Sequence, residues 1–242
     1  LGANAEKIAA KRTLQAALAS IPEVSQRWAI IELMAADWNV VDLSTLAANS
    51  PAGYALYAVG ADSNTVDRSY LWNAGGHALA LAGGAEYNDL DRSTAVTGSA
   101  GHAGLAIGGA SSNTVARSWI VNPGGHAAML FDGADRTELR LSTVAGSAAA
   151  NFYGLYAVRA SSIVVTRSWV QGSTAAYVAG STGTRIEYST MAALSATGYA
   201  LHVASGVNLT LTTSTLRGGT AAAALVLGPE HRGLVTVSTI TV

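Results

Sequence analysis

Apolar positions along most of this chain follow neither the 3.6-residue spacing of a helix nor the simple alternation of one long strand. They follow a compound frame, apolar-x-x-Ser-x-apolar, which fits at Ser44, Ser69, Ser93, Ser118, Ser142, Ser168, Ser189, Ser214 and Ser238. The intervals between these serines are 25, 24, 25, 24, 26, 21, 25 and 24 residues. A period this regular marks a solenoid, in which each repeat buries its apolar face only against its neighbours. Three residues before each serine stands an aliphatic residue, from Val41 to Val235, and two residues after it another apolar one, from Leu46 to Ile240. A gap of three followed by a gap of two predicts two strands that meet at a tight corner just before the serine. Upstream of the first apolar column, "YALYAV", "HALALA", "LAIGG", "GLYAV" and "YALHVA" predict a third strand with glycines at its borders.

Three strands and three turns per repeat, wound into a cylinder, put each strand beside its copy in the next repeat at a spacing of roughly 4.8 Å. Like residues then lie on like. The serine column predicts an inward ladder of hydroxyls, and Asn39, Asn64, Asn88 and Asn113, each five residues before a ladder serine, predict a second ladder of amides.

This frame resembles the right-handed parallel β-helix repeat of pectate lyases, polygalacturonases and phage tailspikes, with Ser where that family often has Asn. The resemblance covers about residues 28–242 and implies an all-β fold, a right-handed single-stranded parallel β-helix of about nine rungs. It implies architecture rather than activity, because the family includes lyases, hydrolases, epimerases, adhesins and inert spacers. A leucine-rich repeat has a similar period and a polar ladder. It predicts an apolar residue five before the ladder position, where this chain mostly has Asn or Thr, and a helix where it has Gly, Ala and Ser.

Both ends of the chain carry expectations of their own. Residues 4–19, "NAEKIAAKRTLQAALA", hold strong helix formers with Ile8, Leu14 and Leu18 near one face, so 1–27 read as an N-terminal α-helical cap and linker and 28–242 as the β-helix. The C-terminal "LVTVSTITV" stops inside a strand pattern, which predicts either continuation of the chain or head-to-tail self-assembly at the last rung.

Composition narrows the chemistry. Half of the residues are hydrophobic, 12% are charged and the formal net charge is −1, which gives no electrostatic footprint for nucleic acid. Apolar runs such as "TAAAALVL" are too short to predict a membrane-spanning helix. Cysteine is absent, which removes thiol catalysis and disulfides.

Arg68, Arg92, Arg117 and Arg167 stand one residue before ladder serines, and Tyr70, Trp119 and Trp169 one residue after, with Thr94, Thr143 and Thr190 on the rungs between. Aromatic rings on every second rung are roughly 10 Å apart, two strand spacings, which is comparable to a disaccharide. Flat rings suit sugar faces and guanidinium forks suit carboxylates or sulfates, so these seven residues form a candidate stripe for an acidic polysaccharide. The competing reading is that large and small residues alternate only to pack. His77, His102 and His126 follow Gly-Gly or Ala-Gly in a column assigned also to Tyr54, Tyr153, Tyr177 and Tyr199, which predicts ring stacking rather than a metal site. His202 is predicted to face the other way. Asp132, Asp135 and Glu138 read as a solvated turn, and no catalytic residue, metal or cofactor is assigned. The expected function is a non-catalytic extracellular or cell-surface β-helix, a stalk, adhesin or filament segment. The alternative is a carbohydrate-active enzyme (a polysaccharide lyase, hydrolase or epimerase) or a fragment of one.

Overall fold

Each repeat folds into three short strands, as in Tyr54–Val59, Thr65–Asp67 and Tyr70–Asn73. The computed structural model describes residues 29–204, 207–230, 232–236 and 239–242, so the expected cap over 1–27 and the ladder position Ser238 lie outside the described residues. First, second and third strands assemble into three nine-stranded sheets, here A, B and C. Sheet A runs from Ala29–Met34 to Leu225–Leu227, sheet B from Val40–Asp42 to Arg232–Thr236, and sheet C from Thr45–Ala48 to Thr239–Thr241. The pairing is parallel in all three. The protein is an all-β parallel solenoid of nine rungs, with no helix among the described residues. The segment that a leucine-rich repeat would coil into a helix is the sheet A strand with its flanking turns.

The pairing register follows the sequence columns. Val66 lies beside Leu90, Leu90 beside Val115, Val115 beside Leu139 and Leu139 beside Val165, and these side chains are buried. They meet Leu56, Leu79 and Leu105 from sheet A and Leu71, Ile120 and Val144 from sheet C. Burying such a side chain contributes roughly 2 kcal/mol, so the stacks act together rather than through any one contact. The filled interior leaves a void of about 20 Å³ near Leu33, Leu56 and Leu79, close to the volume of one water.

Chain direction changes between sheets B and C on a single left-handed residue. Leu43, Arg68, Arg92, Arg117, Leu141, Arg167, Tyr188 and Thr213 hold φ between 44° and 52°. A side chain in that region costs roughly 1 kcal/mol, and the following serine secures the corner. The Ser69 N–H donates to Ser93 Oγ at 2.9 Å, the Ser93 N–H to Ser118 Oγ at 3.0 Å, and the Ser118 N–H to Ser142 Oγ at 3.1 Å. The same link joins Ser44 to Ser69 and runs on to Ser168, Ser189 and Ser214. Each hydroxyl in turn donates to the carbonyl two residues back, as Ser93 does to Asp91 at 2.7 Å. One small side chain thus pairs an N–H that a buried corner would leave without a partner, and gives a second donor to a carbonyl that already accepts a backbone N–H of the preceding rung.

The corner between sheets A and B uses amides. The N–H and Nδ2 of Asn64 both donate to Asn88 Oδ1, at 2.9 and 3.0 Å, and Asn88 does the same to Asn113. Asn39 reaches Asn64 likewise. Beyond Asn113 the column continues as Thr137, Ile163 and Thr184, so the amide ladder covers the first four rungs. A third polar corner, between sheets C and A, contains the buried Asn73, Thr97 and Asn122. Asn122 Nδ2 donates to the carbonyls of Ser99, His102 and His126. The sequence carried its signal, a polar residue four positions after Ser69, Ser93 and Ser118, but the corner was not anticipated.

Candidate functional site

Sheet C presents the proposed aromatic column on its outer surface. Tyr70 pairs with Thr94, Thr94 with Trp119, Trp119 with Thr143, Thr143 with Trp169, and Trp169 with Thr190. Parallel pairing with one residue per rung makes this a straight line of alternating rings and threonines. Trp119 is 56% exposed and Tyr70 42%. Trp169 is engaged: its Nε1 donates to Gln171 Oε1 at 2.9 Å, and the Arg217 guanidinium lies 5.6 Å over its ring. Trp72, two residues beyond Tyr70 on the same outer face, widens the aromatic surface at that rung.

The arginine column beside these rings is not uniform. Two positions before the ladder serine, sheet B carries Asp42, Asp67 and Asp91, and the arginines interleave with them. Arg68 binds Asp42 at 3.0 Å and Asp67 at 3.1 Å. Arg92 binds Asp67 at 2.8 Å and Asp91 at 3.2 Å. Arg117 is hydrogen-bonded to Asp91. Each of the first two guanidinium groups therefore bridges a carboxylate of its own rung and one of the preceding rung, a zipper of three acids and three bases.

That alternation stops at Asp91. The same sheet B column continues with Ala116, Arg140 and Thr166, so Arg117 finds no acid on its own rung. Among the described residues Arg140 has one ion-pair partner, Glu138 at 3.9 Å, with Asp89 a more distant neighbouring charge, and Arg167 makes no ion pair. Its neighbour Glu187 is bound to Arg185 at 2.6 Å. Arg140 was not singled out from the sequence, although its fixed offset from Ser142 places it in the aspartate column.

The zipper leaves one unusual feature. Asp89 and Asp91 share the outer face of the strand Asp89–Asp91, and one oxygen of each is buried without a hydrogen-bond partner. Burial, and then the charge of Asp91, push the Asp89 carboxyl above its ordinary value. Burial alone would raise Asp91 as well, but its hydrogen bond to Arg117, with Arg117 and Arg92 as neighbouring charges, brings it below.

Sheet A and the turns leading into it carry His77, His102, His126 and His202, and the single column expected for the first three with the tyrosines is divided. Tyr54 pairs with His77, and the register carries that column through Ala103 and His126 to Tyr153. His102 stands one residue earlier, with its ring edge-on to His77 at 4.7 Å. Tyr177 belongs to the second column, between Tyr156 and His202. His202 thus shares the outer face instead of opposing it, packing against Tyr177 at 5.1 Å and Tyr199 at 5.2 Å. Rings stack along the axis, Tyr54 on His77 at 5.6 Å and His126 on Tyr153 at 5.2 Å. The Gly-Gly before His77 has a steric cause: a Cβ on Gly76 would lie 2.0 Å from the Gly53 carbonyl oxygen one rung away.

Three of the imidazoles, those of His77, His126 and His202, are shifted towards the neutral form. Burial, reinforced by His102, lowers His77 to about 4, and its Nδ1 accepts the Ala103 N–H at 3.0 Å. Burial lowers His126 and His202 too. No group of three or more potential ligands that could hold a metal occurs among the described residues. Of the acids in "FDGADRTEL", Asp132 pairs with Arg159 and Asp135 accepts the Ser161 N–H, both at 2.6 Å, so the three do not form a cluster. No helix among the described residues is long and apolar enough to cross a membrane.

No protein-family model and no curated protein matches the chain. Among solved structures, it is similar to HetL, a pentapeptide repeat protein involved in heterocyst differentiation regulation from the cyanobacterium Nostoc sp. strain PCC 7120. The likeness covers 92% of this chain and 95% of that one, at 10% sequence identity and a TM-score of 0.23.

Proposed function

We propose that this protein is a non-catalytic, rigid β-helix segment, a stalk, adhesin or filament element at the cell surface or outside the cell, with a stripe that binds acidic polysaccharide. In the finer assignment it is a right-handed helix of the pectate-lyase-like and tailspike-like kind. One observation carries the reading: Tyr70 and Trp119 stand exposed on a straight outer column, with Trp169 in line and Arg117 and Arg167 at the adjoining corner. Rings held by paired backbone meet a rod-like sugar chain at little ordering cost. In the assembly part of the proposal, Leu234 and Ile240, 58% and 55% exposed on the ninth strands of sheets B and C, are covered either by a second copy stacked head to tail or by further rungs of the same chain.

The stripe is tested by titrating the protein with polygalacturonate and heparin fragments and comparing Trp119→Ala with wild type. Weakened binding is expected, and unchanged affinity for both polymers would remove Trp119 from the stripe. Formation of ultraviolet-absorbing unsaturated sugars in the same mixtures would replace the binding reading with a lyase. Sedimentation over a range of concentrations tests the stacking, for which a persistent monomer is the adverse result.

A further inference from the structure

The zipper divides the arginine column into a closed part and an open part, and the open part has the geometry of an anion site. Arg68 and Arg92 each lie against two carboxylates, so an incoming anion would have to displace both partners while facing the acids. From the next rung on the balance reverses. Arg117, Arg140 and Arg167 stand on consecutive rungs, with the Arg117 N–H donating to the Arg140 carbonyl at 3.0 Å and the Leu141 N–H to that of Thr166 at 3.1 Å. The acids around this trio are Asp91 on Arg117, Asp89 as a neighbouring charge of both Arg117 and Arg140, Glu138 at 3.9 Å from Arg140, and Glu187 occupied by Arg185. Trp119 and Thr143 adjoin the same corners, Trp119 being the most exposed ring of the stripe.

Resting on the polysaccharide reading above, we infer that Arg140 and Arg167, flanked by Arg117 and Trp119, form a site for a sulfated sugar, and that Arg68 and Arg92 take no part in it. Sulfate is favoured over carboxylate by donor geometry. Two guanidinium groups on successive rungs approach one anion from different directions, and a sulfate ester offers three terminal oxygens where a carboxylate offers two. The sugar ring bearing it would rest on Trp119, within one or two strand spacings, roughly 5 to 10 Å.

The experiment titrates the protein with a heparin hexasaccharide and with a galacturonate oligomer of similar length by calorimetry. Variants are Arg140→Gln and Arg167→Asn, with Arg68→Asn and Arg92→Asn as controls; asparagine tolerates the left-handed backbone at the three corner positions. Circular dichroism melts confirm that each variant folds. The expected result is a loss of about tenfold in heparin affinity for Arg140→Gln and for Arg167→Asn, with less than a twofold change in the controls. Equal losses in all four variants would overturn the site while leaving the stripe in place. Binding of galacturonate with none of heparin would overturn the choice of sulfate alone. Failure of wild type to bind either oligomer would overturn the stripe and this site together.

Discussion

The Ser93 N–H donates to Ser118 Oγ at 3.0 Å, and the same Oγ donates to the Ala116 carbonyl at 2.7 Å. Ser118 is 4% exposed, so its hydroxyl is the acceptor available to a backbone group that water does not reach. Replacing it by alanine strands the Ser93 N–H and leaves the Ala116 carbonyl with the Arg92 N–H as its remaining donor. Ser118→Ala is expected to lower unfolding stability by about 2 kcal/mol, measured by denaturant melts. Ser44→Ala, at the half-buried start of the ladder, should cost clearly less; equal losses would refute the ladder as the cause.

The amide ladder is polar in one direction. Asn88 receives two N–H groups from Asn64 on its oxygen and donates its own Nδ2 to Asn113 Oδ1 and to the Ala61 carbonyl. Asn88→Asp sets a second oxygen against two acceptors in a buried corner. A loss of roughly 3 kcal/mol is expected at pH 7, with part of it recovered in acid as the carboxyl takes up a proton. A loss that ignores pH would point to packing instead.

Asp67 joins two arginines, and removing its charge tests whether the zipper contributes to stability. The side chains of Arg68 and Arg92 are 47% and 51% exposed, so solvent screens both pairs. A double-mutant cycle on Asp67→Asn and Arg92→Gln is expected to give a coupling of about 0.5 to 1 kcal/mol in low salt, shrinking at 1 M sodium chloride. Coupling insensitive to salt would contradict the electrostatic account.

His77 makes the fold sensitive to acid. Its folded-state value of about 4 lies below the unfolded 6.5, so the native state resists a proton that the unfolded chain accepts. The contribution is complete above pH 6.5, shrinks as the pH falls through the window, and is gone below 4. Stability should drop by on the order of 3 kcal/mol across it, with His126 and His202 adding in the same direction. Titrating the His77 ring by nuclear magnetic resonance checks this, and a midpoint at or above 6.5 would dismiss it.

Arg167 and Arg92 share a backbone conformation, with φ of 49° and 44°, but only Arg92 is ion-paired. Arg167→Gly relieves left-handed strain without losing an ion pair and is expected to stabilise by at most about 1 kcal/mol. In Arg92→Gly the lost pairs offset that gain. Thermal melts that rank the two the other way would refute the assignment of Arg167 as unpaired.

By itself the sequence determined that the chain is a solenoid, that its period is about 24 residues, and that Ser69, Ser93 and Ser118 belong to one column. Those properties repeat along the chain, and in a parallel stack a repeated residue necessarily lies beside its own copy. Only the tertiary structure decided which arginines carry free charge, because Arg92 reaches Asp67, 25 residues earlier, and such diagonal neighbours have no fixed offset once repeats differ in length. The same irregularity hid the histidine arrangement. Turns of unequal length before sheet A shift His102 by one residue and assign Tyr177 and His202 to a second column, which pairing through the backbone settles and spacing does not.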